Sequence, residues 1–160
     1  MHAQALDWVA RYATNESVTV LDLGGRDING SPRSLFPGAT YVALDIVDGP
    51  GVDVVADAAT WQPDRTYDAV LCCEVFEHTD AWPLICATAH RACRSDGLFV
   101  VTTAGPGRAP HSAVDGGAIR EGEHYANIRP AELRRTLVEG GWRDIEVDQL
   151  GADVRAVASR

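Results

Sequence analysis

The chain has 160 residues, 14 basic and 23 acidic side chains, a formal net charge of −9 and four cysteines. Every basic residue is arginine. Without a lysine amine, Schiff-base catalysis, pyridoxal-phosphate anchoring, the P-loop lysine and the kinase lysine are excluded. The acidic balance disfavours nucleic acid and anionic membrane surfaces, because both depend on positive potential.

The length predicts one domain spanning residues 1–160. A chain of this size buries about 70% of its unfolded surface, enough for a core without disulfide or metal staples. No apolar run reaches the roughly 18 residues of a membrane span. The first residues lack the basic stretch and apolar run of a signal peptide, so a cytoplasmic location is expected. Cys72, Cys73, Cys86 and Cys93 contain no CxxC pair. They read as small buried hydrophobes in a reducing compartment, and no zinc site is expected from them.

Hydrophobic pattern and breaker residues predict the elements. Residues 2–13 form a helix, with Leu6, Val9, Ala10 and Ala13 on one face. Four short apolar runs follow, at 17–23, 40–44, 52–56 and 67–73. Short, almost wholly apolar runs are the signature of parallel strands buried on both faces. The link from Asp57 to Tyr67 is too short for a full crossover helix. Residues 80–94 read as a helix, with Pro83 in the first turn and Ser95-Asp96-Gly97 as its stop. Residues 98–103 are a fifth strand. Residues 130–139 are a helix that opens on Pro130 and stops at Gly140-Gly141. Residues 142–149 and 153–158 close the chain as an antiparallel pair around Leu150-Gly151. The stretch 104–129 is rich in Gly, Pro and His and has no period, which reads as a functional lid.

In an open α/β sheet, ligands sit beyond the carboxyl ends of the strands at the switch point. The first strand ends in Asp22-Leu23-Gly24-Gly25, the second in Asp45, the third in Asp57 and the fourth in Glu74 to His78. Glycines after the first strand admit close approach, and successive N–H groups there can cradle a carboxylate. An acid about 20 residues further on can accept from a ribose diol, and Asp45 stands there. Asp57 is placed to accept from an adenine amine. The dinucleotide fingerprint is missing, since Arg26 stands where its second glycine belongs. A ligand without a pyrophosphate, such as S-adenosylmethionine, needs only a looser glycine turn.

The ordered set Val20-Leu21-Asp22-Leu23-Gly24-Gly25, Tyr41-Val42-Ala43-Leu44-Asp45, Val54-Val55-Ala56-Asp57 and Glu74-Val75-Phe76-Glu77-His78 resembles the class I S-adenosylmethionine-dependent methyltransferases. Within them it is similar to the small type 11 branch. The runs 91–101 and 130–142 resemble that family's turn into the fifth strand and its last helix. The resemblance implies a Rossmann-like, doubly wound, mostly parallel seven-stranded α/β sheet of order 3-2-1-4-5-7-6, with the last strand antiparallel. It implies S-adenosylmethionine as cofactor. Asp22, Leu23, Gly24 and Gly25 would hold the methionine end, Asp45 the ribose, and Asp57 and Ala58 the adenine, with Ile46 a further cofactor-binding residue. Cys73 and Glu74 would border the methionyl and adenosyl groups. The family's third motif glycine is absent, and Arg26 or Asn29 stands near where the methionine carboxylate would lie.

Methyl transfer needs in-line placement of a nucleophile, and a base if that nucleophile carries a proton. The expected catalytic residues are His78, His124 and Tyr125. Glu74, Glu77 and His111 are further candidates, with Glu77 read as a solvated or capping acid and His111 as a surface residue. No metal is expected, since no i, i+4 histidine pair exists. The Asp/Asn-Pro-Pro-aromatic motif of amino-group methylation on DNA is absent after the fourth strand. The expected activity is methylation of an O or N atom on a small-molecule acceptor. The rival readings are a non-catalytic binding module on the same fold and an NAD-dependent oxidoreductase.

Overall fold

The computed structural model describes all residues 1–160. Its helices are α1 (Ala3–Ala10), α2 (Trp82–Ala92) and α3 (Pro130–Glu139). Its strands are β1 (Thr19–Leu23), β2 (Thr40–Asp45), β3 (Val54–Val55), β4 (Tyr67–Cys73), β5 (Cys93–Ala104), β6 (Arg143–Leu150) and β7 (Asp153–Ser159). They form one seven-stranded sheet in the order β3-β2-β1-β4-β5-β7-β6. β1 pairs in parallel with β2 and β4, and β7 slots antiparallel between β5 and β6. This is the expected fold class and strand order. The chain winds outward from β1 to β3 and then returns to β4, so the switch point lies between β1 and β4.

The strands alternate between two apolar layers. Leu21, Leu23, Val70, Cys72, Phe99 and Val101 pack toward α2 and α3, meeting Ile85, Ala89, Leu133 and Leu137. Val20, Tyr41, Ala43, Leu71, Cys73 and Val100 face Trp8 and Val9 of α1. A sheet covered on both faces explains why the strands read as near-continuous apolar runs. No helix is long and apolar enough to cross a membrane.

Several boundaries differ from the sequence expectation, and four of them have a local reason. α1 stops at Ala10, because Tyr12 and Ala13 donate three residues back to Val9 and Ala10 in a tightened last turn. β3 shrinks to two residues because the Asp53 carboxylate, rather than backbone, accepts the Ala43 N–H at 2.8 Å. The Ser95-Asp96-Gly97 stop lies inside β5. Tyr67 pairs with Cys93 and Ala69 with Leu98, so the extra residues form an irregularity in a strand that leaves α2 directly. The closing turn is Gly151-Ala152, with Leu150 paired to Asp153 and Gly151 at φ +61. That left-handed backbone favours glycine.

The 104–129 stretch is pinned along its length. The Ser112 hydroxyl donates to Glu123 Oε1 at 2.7 Å, Ala126 N–H to the Glu77 carbonyl at 2.8 Å, and Ile128 N–H to the Ala104 carbonyl at 2.9 Å. It lies as a strap over the carboxyl ends of β1, β2 and β4.

Candidate active site

Beneath the strap is a cleft of about 780 Å³. That volume suits a cofactor-sized small molecule. Its floor is Gly24, Asp45, Asp57 and Glu74 at four successive strand ends. Its walls carry Met1, His2, Arg26, Ile46, Ala58, His78, Arg108 and His111.

The glycine turn works differently from expectation. Gly24 and Gly25 N–H both donate to the Leu44 carbonyl, at 2.7 and 3.0 Å, so neither is free to cradle a carboxylate. Their value is space. Gly24 has φ +81, and a Cβ there would meet Val75 Cγ2 at 2.2 Å. A Cβ on Gly25 would meet Ala43 Cβ at 2.7 Å and the Asp22 carboxyl at 2.9 Å.

Asp22 lies under that turn and does not line the cleft. Period-two alternation sends it to the α1 layer, where it is 2% exposed and accepts from the Tyr41 hydroxyl at 2.7 Å. Burial raises its pKa to about 6, against the opposing pull of the Tyr41 hydrogen bond. Leu23 is wholly buried in the α2 layer. Cys73 is buried on the Asp22 side, and burial pushes its thiol well up. Leu23, Gly25 and Cys73, like Asp22, therefore support the cleft from below rather than line it.

Asp45 fastens two loops. It accepts from Arg26 N–H at 3.3 Å through one oxygen and from Val47 N–H at 3.0 Å through the other. Asp57 accepts from Ala59 N–H at 2.8 Å through Oδ1, leaving Oδ2 without a protein partner. Each carboxylate retains acceptor capacity toward the cleft. Ile46, a branched hydrophobe at the rim, is 67% exposed.

Glu74 adopts φ +58, an uncommon backbone for a non-glycine residue and a mark of a constrained position. Its Oε2 lies 3.2 Å from His2 Nε2 and 3.7 Å from an Arg108 guanidinium nitrogen. Burial pulls its pKa up, but His2 and Arg108 outweigh that and hold it below the usual value. Its Oε1 is buried with no partner. Arg108 in turn pairs with buried Asp153 of β7 at 2.5 Å. Arg26 enters from the side. Its guanidinium donates to the Ala113 carbonyl at 3.3 Å, while its Nε is buried with no partner.

At the far end stand His78, His111 and Tyr125, with ring centroids 4.9, 5.5 and 5.0 Å apart pairwise. Burial, aided by His111, pulls the His78 pKa down to about 4, so the ring is neutral near pH 7. Tyr125 does not line the cleft; its hydroxyl donates to the Ala109 carbonyl at 3.2 Å and its ring backs the two histidines. Burial raises its pKa to about 12, which makes it a poor base. His124 is exposed and outside the cleft lining. His111, read from sequence as a surface residue, takes its place.

Glu77 reverses its expectation. It is wholly buried, accepts from the Thr103 hydroxyl at 2.8 Å, and has its pKa raised to about 8 by burial, with Glu74 reinforcing the shift. One ligand-capable atom from each of Glu77, His78 and His111 lies within 4.8 Å of the others. Glu77 and Thr103 are 26 positions apart in the chain, so no local pattern signals the contact.

The methyltransferase domain family matches residues 1–147. The chain belongs to that family. No curated protein matches this methyltransferase by sequence. Among solved structures it is similar in fold to DhpI in its SAH complex, with 22% identity, TM-score 0.72, and coverage of 97% of this chain and 83% of that one. It is also similar to the Burkholderia thailandensis 1,6-didemethyltoxoflavin-N1-methyltransferase bound to 1,6-didemethyltoxoflavin and S-adenosylhomocysteine. There the identity is 18%, the TM-score 0.69, and the coverage 96% and 77%. Human N-acetylserotonin methyltransferase with SAM matches at 15% identity and TM-score 0.66, over 97% of this methyltransferase and 51% of that chain.

Proposed function

We propose that this methyltransferase moves the sulfonium methyl of S-adenosylmethionine to an oxygen or nitrogen atom of a small-molecule acceptor. The carrying observation is the convergence of Asp45, Asp57 and Glu74 on one cleft at the switch point. Asp45 takes the ribose hydroxyls. The free Asp57 Oδ2 takes the adenine amine, and Ile46 with Ala58 covers its face. Gly24 lets the methionyl chain pass close to the backbone. The unpartnered Glu74 Oε1 faces the methionine ammonium, and the unpartnered Arg26 Nε its carboxylate. These are the two charges of an amino-acid zwitterion, and each meets a buried group of opposite sign.

The donor supplies an already activated methyl, so the protein's work is positioning and desolvation. When bound, S-adenosylmethionine would supply the methyl to the acceptor's lone pair and depart as S-adenosylhomocysteine; the chain's own residues place the acceptor and take up its proton. His78 is neutral at pH 7 and lines the acceptor end, so it receives or relays that proton. Tyr125 holds the His78 ring. The net charge of −9 weighs against a nucleic-acid acceptor. The Burkholderia enzyme's structure holds bound 1,6-didemethyltoxoflavin, which supports a small molecule here.

Calorimetric titration with S-adenosylhomocysteine tests the reading. One-to-one binding is expected, with no binding of NAD. An absence of binding by S-adenosylhomocysteine would overturn the proposal.

A further inference from the structure

We propose that Glu77, His78 and His111 form a binding site for one divalent first-row transition-metal ion at the acceptor end of the cleft. Two imidazoles and a carboxylate present ligand atoms within 4.8 Å of one another. Around an ion bound at about 2.1 Å, neighbouring ligand atoms sit ~3.3 Å apart, so the trio closes by ~1.5 Å or less on binding. Side-chain rotation of two histidines supplies that movement.

Two buried ligand-type atoms in the cluster have no protein partner. Glu77 is fully buried and its Oε1 has no hydrogen-bond partner. His78 Nδ1 is likewise buried without one. Buried polar atoms without partners are rare in native proteins and call for a bound group. The outer contacts are those that orient metal ligands. Thr103 donates its hydroxyl to Glu77 Oε2 at 2.8 Å, leaving Oε1 as the donor to the ion. His111 Nδ1 sits 3.3 Å from the Ala109 carbonyl, which assigns its proton to Nδ1 and frees Nε2. Tyr125 packs edge-on against both rings and fixes their planes.

The donor set defines the ion. Mixed imidazole and carboxylate ligands suit Zn²⁺, Mn²⁺, Fe²⁺ or Co²⁺, whereas Mg²⁺ and Ca²⁺ prefer all-oxygen shells. Three protein ligands leave at least one position open. His78 and His111 line the cleft, so that position faces the acceptor and takes an oxygen donor from it; with an ion bound, His78 is its ligand and the ion, rather than that ring, lowers the acceptor's proton affinity. Metal binding itself does not rest on the methyl-transfer reading.

The test titrates chelator-treated full-length protein with Co²⁺ at pH 7, followed by calorimetry and by visible absorption. Wild type binds one ion per chain and shows no thiolate charge-transfer band. His111→Ala weakens binding by roughly 100-fold, and Thr103→Val, which removes only the orienting hydroxyl, by roughly 10–100-fold. His124→Ala, outside the cluster, binds as wild type. Circular dichroism confirms that each variant is folded; if Glu77→Gln fails to fold, His111→Ala on the strap still decides. Failure of wild type to bind one Co²⁺, wild-type affinity in His111→Ala, or a thiolate band that moves the ion to the cysteines would each overturn the site.

Discussion

Asp22→Asn isolates the energetic burden of a carboxylate placed beneath the glycine turn. In the unfolded chain Asp22 has an ordinary pKa near 3.8, and in the fold burial raises it to about 6. A carboxyl whose pKa is higher in the folded state carries no penalty below about pH 3, where it is protonated in both states. The penalty grows as pH rises from about 3 to 6 and is nearly constant above that. The rise from 3.8 to about 6, at about 1.4 kcal/mol for each tenfold change in proton affinity, makes a burden of roughly 3 kcal/mol at pH 7. Asparagine keeps an acceptor for the Tyr41 hydroxyl and never ionises. Its amide N–H₂ needs partners of its own, which shifts both pH values equally by up to about 1–3 kcal/mol. The sensitive quantity is therefore a difference of differences. The stability of Asp22→Asn relative to wild type rises by about 2.5 kcal/mol between pH 4 and pH 7, measured by urea unfolding at both. A relative stability that stays flat, or falls with pH, would show that Asp22 is not held in a low-dielectric pocket.

Three further outcomes follow from the cleft. Asp45→Ala weakens S-adenosylhomocysteine binding by about 1.5–3 kcal/mol in calorimetry, the scale of charge-assisted hydrogen bonds; unchanged affinity would remove Asp45 from the ribose. Arg26→Gln weakens S-adenosylhomocysteine but not 5′-methylthioadenosine, which lacks the carboxylate, and an equal loss for both would place Arg26 elsewhere. Gly24→Ala lowers the thermal midpoint and cofactor affinity, because its Cβ would lie 2.2 Å from Val75 Cγ2 at φ +81. Adding Val75→Ala recovers part of the loss and leaves the backbone strain, so complete recovery would refute the strain argument.

What sequence pattern conveyed was the sheet. Apolar runs ending in Asp45, Asp57 and Glu74 were legible because strand period and strand end are local properties. The absence of a helix between Asp57 and Tyr67 followed from chain length alone. What pattern did not convey was direction. Asp22 shares the first strand end with the glycines, yet strict alternation turns it into the α1 layer beside Tyr41. The Gly24 and Gly25 N–H groups looked free because their acceptor, the Leu44 carbonyl, belongs to another strand. Glu77 read as a solvated acid, and only the end of β5 supplies the Thr103 that keeps it buried. His111 and His124 are alike in composition and context; the path of the strap brings one to the cleft and leaves the other outside.

The insertion of β7 between β5 and β6 has a bearing on how the molecule assembles. Asp153, at the start of β7, grips Arg108, and Arg108 reaches Glu74 at the cleft. A ribosome-bound fragment ending before Asp153 would lack both the strand that completes the sheet's interior and the anion that steadies the cleft. Pairings such as Phe99 to Ala158 also span long stretches of chain and slow the conformational search.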